Sequence, residues 1–76
     1  MTRFFFDTFN GENWMTDDMG LECEPGIARD HAQAELTELA REELPNGDQL
    51  VLAVRVRHEE GVLLEARLDL QTVWLG

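Results

Sequence analysis

The acidic stretch from Asp17 to Glu24 gathers side chains that could bind a metal ion. It contains Asp17, Asp18, Glu22 and Glu24, and carboxylate oxygens are the ligands that hard cations prefer. Their spacing lacks the D-x-[DN]-x-[DN]-G pattern that wraps oxygen ligands around calcium. We therefore interpret this stretch as a solvated acidic turn and expect no metal site in it.

Side chains that commonly carry out catalysis are few in this chain. His31 and His58 lie on different predicted elements, without the spacing of a zinc-binding pair or a partner for general base chemistry. Cys23 stands between Glu22 and Glu24, whose charges disfavour the reactive thiolate. The sequence has no serine and no Gly-rich phosphate loop of the G-K-[ST] type. We predict that the protein is not an enzyme and uses no cofactor.

The arginines and aromatic residues form the other candidate group. All six basic residues are arginine, and the strand alternation described below places most of them on one face of a sheet. The candidate interaction residues on that face are Arg3, Phe5, Phe9, Val51, Arg55, Arg57, Leu63 and Arg67. The apolar members could form the centre of a protein–protein or homodimer contact. Alternatively, Phe5 could stack on the bases of single-stranded nucleic acid while the arginines contact its backbone. An ordinary solvated face with cross-strand Arg–Glu and Arg–Asp pairs is the third interpretation.

The charge balance helps to choose between these interpretations. A formal net charge of −10 argues against a general nucleic-acid binder and against an anionic membrane surface as partner. Asp7, Glu65 and Asp69 are predicted on the same face as the arginines, which adds to that argument. We favour a small non-enzymatic domain that acts by association with itself or with a protein partner. Weak single-stranded nucleic-acid binding is the alternative.

The length and the single cysteine limit how the fold can be stabilised. A chain of 76 residues has room for one domain, residues 1–76, with one modest core. Such a core rarely supplies more than about 3–5 kcal/mol without further support. Cys23 is the only cysteine, so no internal disulfide can form, and dimerisation is the remaining source of support.

The start of the chain carries no recognisable export signal. Arg3 is followed by only three phenylalanines, which is too short an apolar stretch for a signal peptide. No apolar run approaches the roughly 18 residues of a membrane helix. Together with the lone thiol, this predicts a cytoplasmic protein that does not contact a membrane.

The predicted elements follow the order strand, strand, helix, strand, strand. Aromatic residues predict a strand over 3–9, Asn10-Gly11 predicts a hairpin turn, and a second strand follows over 12–17. Residues 27–44 contain no Gly or Pro and are rich in Ala, Leu, Glu and Arg, which predicts a helix that Pro45-Asn46-Gly47 ends. Alternation of apolar and polar residues predicts strands over 50–58 and 62–70.

These elements indicate an α+β fold of order ββαββ. It is a two-layer sandwich in which one helix packs on one face of a four-stranded, mainly antiparallel sheet. A single helix leaves the other sheet face uncovered, and we call that surface the open face. Trp14 lies on the open face if Asn10-Gly11 forms a two-residue turn, and it turns inward if the loop has three residues. Whether Trp74 is buried or exposed is left open.

The last two strands predict a specific register. We expect Val54 opposite Ala66. On the open face, this register places Arg55 opposite Glu65. His58 and Val62 then flank a three-residue loop that ends in Gly61, a residue suited to a bulged hairpin. A slip by one residue would turn every inward side chain outward.

The ordered motifs resemble a family of short stand-alone bacterial proteins of unknown function. Members open approximately with M-P-R-Y-F-F-[DH] and a D-G turn, followed by D-[DE]-x-G-x-E and L-P-D. An Ala/Arg-rich helix, L-P-D-G, and two strands separated by D-E-x-G complete the pattern. The matching stretches here are MTRFFFDTFNG, DDMGLECEPG, LAREELPNGD and VRVRHEEGVLLEARLDL. Gly26 replaces the usual Asp at the helix start. The resemblance implies a ββαββ domain and supplies no catalytic residue to carry over.

Overall fold

A computed structural model describes residues 1–44 and 47–76 of the chain. It is an α+β fold with one helix packed on one face of an antiparallel sheet, as expected. The elements in chain order are β1 Thr2–Phe9, β2 Trp14–Met15, β3 Leu21–Cys23, α1 Pro25–Glu43, β4 Gln49–His58 and β5 Gly61–Gln71. The sheet order is β2-β1-β4-β5, and β3 pairs with the N-terminal part of β1.

The second strand, predicted over 12–17, is confirmed only as the short β2, and the sheet has five strands rather than four. The place of the predicted strand is taken by β2, opposite Thr8 and Phe9 of β1, and by β3, opposite Thr2–Phe4. Residues 16–20 lie between these two strands and make no ladder pairs with β1. The edge of the sheet is therefore one strand position filled by two short pieces with a loop between them.

The hairpin between β1 and β2 is wider than both the two-residue turn and the three-residue loop considered at Asn10-Gly11. Phe9 pairs with Trp14, so four residues form the loop. The Asn10 side-chain oxygen accepts hydrogen bonds from the backbone N–H groups of Glu12 at 3.0 Å and Asn13 at 2.9 Å. This side-chain acceptor stabilises the longer loop, and the pairing places Trp14 on the open face.

The predicted register between β4 and β5 is confirmed over most of its length. Val54 pairs with Ala66 and Arg55 with Glu65. The prediction is wrong at the turn, where His58 pairs with Gly61 and a register shift lies next to Arg57. The loop is thus two residues long, and a bulge accommodates the extra residue within the strand.

The core lies between the inner face of the sheet and the helix. Its buried members are Phe4, Phe6, Cys23, Ala28, Ala32, Val54 and Val56, with the half-buried Leu36, Leu64 and Ala66 packed against them. Alternate residues of β1 and β4 point into this layer because strand side chains alternate between faces. The helix contributes only two fully buried residues, both alanines. Their small side chains let the helix lie close to the sheet, but they cover only a narrow strip of it.

The helix begins two residues before the predicted start at residue 27. Pro25 occupies its first turn, and the backbone carbonyl of Glu24 accepts the N–H of Ala28 at 3.0 Å. Proline favours the first helical turn because its fixed φ is already helical and its missing N–H has no partner there. At the other end the last helical residue is Glu43. The predicted stop at Pro45 and Asn46 lies outside the described residues.

Gly20 ends the loop between β2 and β3 at φ +73°, a left-handed conformation that favours glycine. A Cβ there would approach the Phe4 carbonyl oxygen and the Arg3 Cγ, both at 2.9 Å. Gly47 has a nearly identical φ of +74° with no atom within 4 Å of the same position. It is therefore a matched control that separates conformational strain from crowding.

We expect Gly20→Ala to lower the free energy of unfolding by about 1–2 kcal/mol more than Gly47→Ala does. Both substitutions carry the cost of a left-handed alanine, and only the first also meets backbone and side-chain atoms. Urea unfolding monitored by circular dichroism measures the difference. Equal losses at the two positions would contradict the close packing of this loop against β1.

Candidate interaction face

The open face is formed by alternate residues of β1, β4 and β5, with Trp14 of β2 at one edge. Its members are Arg3, Phe5, Asp7, Phe9, Trp14, Val51, Ala53, Arg55, Arg57, Glu65, Arg67 and Asp69, as the ladder pairs place them. The sequence-predicted residues on these strands therefore do share a face. They divide into two groups with different surroundings.

The first group surrounds a shallow depression of about 520 Å³. Phe9, Val51, Arg55 and Arg67 line it, together with Trp14. The rings of Phe9 and Trp14 lie 5.2 Å apart, inclined by 37°, an offset arrangement that aromatic pairs favour.

The floor of the depression is Ala53, which is only 3% exposed although it lies on the open face. Ala53 is directly opposite both Phe9 and Arg67 in the sheet, so larger side chains on either side cover it. Trp14 stays 42% exposed. A small residue between larger neighbours thus creates a concave apolar surface with an accessible indole.

Arg55 forms one wall of the depression, and its guanidinium contacts Trp14 through its face and Glu65 through its edge. Its Cζ lies 4.4 Å from the centroid of the Trp14 ring, a cation–π distance. Its Nε donates to the Glu65 carboxylate at 3.0 Å. The charge is therefore partly neutralised while the planar surface of the side chain stays beside the indole.

The second group lies around Arg57. Its Nε donates to the Asp7 carboxylate at 2.8 Å, and one Nη donates to the backbone carbonyl of Asp17 at 2.7 Å. The guanidinium also lies 4.7 Å from the centroid of the Phe5 ring. These contacts tie β4 to β1 and to the loop that interrupts the edge strand, so Arg57 and Phe5 hold the fold together at this position.

Asp17 fills the gap that the loop leaves in the sheet edge. Its carboxylate accepts the backbone N–H of Phe6 at 3.1 Å, and the N–H groups of Met19 at 3.0 Å and Gly20 at 3.3 Å. The Phe6 N–H points towards the side of β1 where an unbroken edge strand would supply a carbonyl. The side chain therefore replaces a missing strand residue as hydrogen-bond acceptor.

These contacts set the ionisation of Asp17. Burial alone would raise the pKa of its carboxyl group, but the hydrogen bonds from Met19, Phe6 and Gly20 and the charge of Arg57 outweigh burial. The net result is a pKa below the ordinary aspartate value. The interpretation of Asp17 as part of a solvated acidic turn is therefore wrong for this residue, which is half-buried.

The open-face arginines are each paired with a carboxylate. The pairs are Arg3–Glu22 at 2.9 Å, Arg55–Glu65 at 2.9 Å, Arg57–Asp7 at 2.8 Å and Arg67–Asp69 at 3.0 Å. Three of these carboxylates lie on the open face itself, and Glu22 lies on the adjacent β3. Four positive and four negative charges leave this surface close to neutral.

Besides Phe5 and Arg57, two further predicted residues lie away from the depression. Arg3 is at the opposite end of β1, where it also donates to the Met19 carbonyl at 2.6 Å. Leu63 is 40% exposed in the bulge near the β4–β5 turn. Strand alternation placed Ala53 on the open face but did not single it out as a candidate residue. It left Trp14 undecided, and the four-residue loop at Asn10 decides that residue's face.

The candidate catalytic residues are distributed rather than clustered. The His31 ring is 4.5 Å from the Phe6 ring, and the His58 ring is 5.9 Å from the Phe4 ring. Cys23 is buried in the core. Across residues 1–44 and 47–76, no three His, Cys, Asp or Glu side chains are grouped as potential metal ligands.

The fold and this face define a small α+β domain with a shallow apolar depression among paired charges. Within the described ranges, no helix has both the length and the apolar character needed to cross a membrane. Residues 3–69 match the model of a family described as a domain of unknown function, DUF6894. The chain therefore belongs to that family, as its motifs predicted. No curated protein and no solved structure matches the chain.

Proposed function

We propose that the protein is a non-enzymatic domain that acts by association, with itself or with a protein partner, through the depression on its open face. The observation that carries the proposal is the apolar surface of Phe9, Trp14 and Val51 above the buried Ala53. This surface lies on the side of the sheet that the helix does not cover. An aromatic and aliphatic centre with charged residues at its rim is typical of protein interfaces.

The charge pairing supports association over nucleic-acid binding. A nucleic-acid surface gains most of its affinity from arginines that neutralise phosphates. Here each open-face arginine already has a carboxylate within 3.0 Å, so phosphates would have to displace these partners. A location in the cytoplasm stays a prediction that rests on the single cysteine.

Trp14 gives a direct readout of the self-association form. The Trp74→Phe variant leaves Trp14 as the only indole, and Trp74 itself is 79% exposed at the end of the chain. We expect the fluorescence emission of Trp14 in this variant to move to shorter wavelength as protein concentration rises to high micromolar. Covering the indole removes it from water, which is the physical reason for the shift.

The matched control is Trp14→Phe, in which the exposed Trp74 reports instead. Its emission is expected to change less with concentration than that of Trp14, because Trp74 does not line the depression and contacts Asp48 instead. A constant emission from Trp14 up to high micromolar concentration would contradict self-association through the depression. Association with a different protein partner is tested by photo-crosslinking from the depression.

A further inference from the structure

The two edges of the sheet are protected very differently. One edge consists of the short β2 and β3 with a loop between them, and short or interrupted edge strands resist pairing with another chain. The other edge is β5, with 11 residues the longest strand in the chain. Among the residues that the structure describes, no strand pairs with its outer side.

β5 carries the charged residues Glu65, Arg67 and Asp69 on its open face, but it lacks most of the other features that usually block an edge. It contains no proline, its bulge lies only at its start, and its inward-facing side chains Leu64, Ala66, Leu68 and Leu70 carry no charge. Leu68 is 37% exposed on the helix side of the sheet. A long, regular edge strand with an apolar inner side is a template for strand addition.

The ladder shows which backbone groups are free at this edge. The N–H of Thr72 donates to the carbonyl of Asp48, across from it in the ladder, at 2.6 Å. In an antiparallel pair, alternate residues exchange hydrogen bonds with one neighbour. The N–H and C=O groups of Glu65, Arg67 and Asp69 therefore point away from β4, towards the outside of the sheet.

The charges of β5 favour a second copy of the same strand as the occupant. In an antiparallel pair centred on Ala66, Glu65 lies opposite Arg67 of the second copy, and Arg67 lies opposite its Glu65. The intrachain pairs that Glu65 makes with Arg55 and Arg67 makes with Asp69 would then extend into a network of alternating charges across the two copies. On the inner side, Leu64 lies opposite Leu68 of the second copy. Centring the pair on Arg67 instead would place that arginine opposite itself and Glu65 opposite Asp69, which is repulsive. Centring the pair on Leu68 would place Arg67 opposite Asp69, but it would leave the first residues of β5 unpaired. The register centred on Ala66 is therefore the one that both pairs opposite charges and aligns the whole strand.

We propose that β5 pairs antiparallel with β5 of a second copy of this chain, centred on Ala66, so that one sheet continues across both copies. The two-fold axis is then perpendicular to the sheet, and both open faces lie on the same side. The dimer presents two copies of the depression to a partner, which allows bivalent binding.

A charge-swap experiment tests this register. Glu65→Arg and Arg67→Glu each place like charges opposite one another at both symmetry-related positions. We expect the dissociation constant of each variant dimer to rise about tenfold or more relative to wild type. An equimolar mixture of the two variants restores opposite charges at both positions, so a heterodimer with wild-type affinity is expected. Light scattering across a dilution series measures all four samples, the wild type, the two variants and their mixture.

Several outcomes would overturn the proposal. They are a wild-type chain that stays monomeric at high micromolar concentration, single variants that dimerise like wild type, or a mixture that gains nothing. If Glu65→Arg unfolds because Arg55 is its neighbour, the double variant R55E/E65R keeps that intrachain pair with reversed polarity and carries the same test. Glu65 and Arg67 also line the depression, so the Trp14 emission is followed in the same dilution series. Loss of the dimer in light scattering with no accompanying change in the Trp14 emission places the contact at this edge rather than at the depression.

Discussion

Replacing Asp17 with alanine is expected to lower the free energy of unfolding by about 3 kcal/mol. The substitution removes the acceptor of three backbone N–H groups, those of Phe6, Met19 and Gly20. It also removes a negative charge that faces Arg57. Because a domain of this size has only about 3–5 kcal/mol of core stability, the variant should be close to unfolded at room temperature. Urea unfolding measures the loss.

Asp18→Ala is the matched control for this prediction. Asp18 is the next residue in the same loop and is exposed, so its replacement should change stability by less than about 0.5 kcal/mol. Asp17→Asn keeps one acceptor oxygen and should fall between the two. Equal stabilities for the two alanine variants would show that the carboxylate of Asp17 does not hold the interrupted edge together.

The pH dependence of the same variants gives a second readout. The pKa of Asp17 is lowered in the folded state, so its ionisation stabilises the fold above the unfolded pKa of about 3.9. That contribution is lost as pH falls through the lower folded pKa. The difference in stability between wild type and Asp17→Ala should therefore be largest near neutral pH and shrink below about pH 4.

Replacing Val51 with lysine is expected to weaken association through the open face about tenfold or more. Val51 is half-buried at the side of the depression, and a lysine there would carry an ammonium group into the apolar contact. The fold should tolerate the change because Val51 lies opposite Asp69 in the sheet. That carboxylate already pairs with Arg67, and it can contact the new ammonium group as well.

Gln33→Lys provides the same charge change on the exposed side of the helix, and it should leave association unchanged. The pair of variants also separates protein association from nucleic-acid binding. A lysine beside Arg55 and Arg67 would strengthen binding to a mixed-sequence oligonucleotide at low salt, whereas it should weaken a protein contact. If Val51→Lys binds the oligonucleotide more tightly than Gln33→Lys does and protein association is unaffected, the result would favour single-stranded nucleic-acid binding as the function.

The parts of the fold that sequence predicted are those that depend on local periodicity. The strands β4 and β5 alternate apolar and polar residues, and only one register places Val54 opposite Ala66 on the buried side. The helix follows from its composition. It begins two residues before the predicted start because the predicted span was limited to residues without Gly or Pro, whereas proline is favoured in a first helical turn.

The interrupted edge could not be predicted in the same way. Residues 12–17 have a composition that a strand would tolerate, and the break depends on the Asp17 carboxylate reaching the Phe6 N–H, 11 positions away in sequence. The loop at Asn10 depends likewise on a side chain that accepts two backbone N–H groups. Such side chain–backbone contacts are tertiary features that propensity and alternation do not encode.

For the candidate site, alternation was enough to assign residues to a face but not to divide that face. Alternation placed Arg55 and Arg57 on the open face and gave no reason to assign them different roles. The structure distinguishes them, because Arg57 contacts Asp7 and the edge loop while Arg55 lies beside Trp14. The depression also depends on Ala53, whose small side chain matters only through the larger neighbours on the adjoining strands.

Site-directed photo-crosslinking from the depression tests the central claim most directly. A benzophenone-bearing phenylalanine analogue can replace Phe9, whose ring already lines the surface, with the same probe at Gln33 as control. In the cell that naturally makes the protein, we expect a discrete protein adduct from position 9 that is lost with Val51→Lys and absent from position 33. An identical adduct pattern from both positions, or none from position 9, would contradict association through the open face.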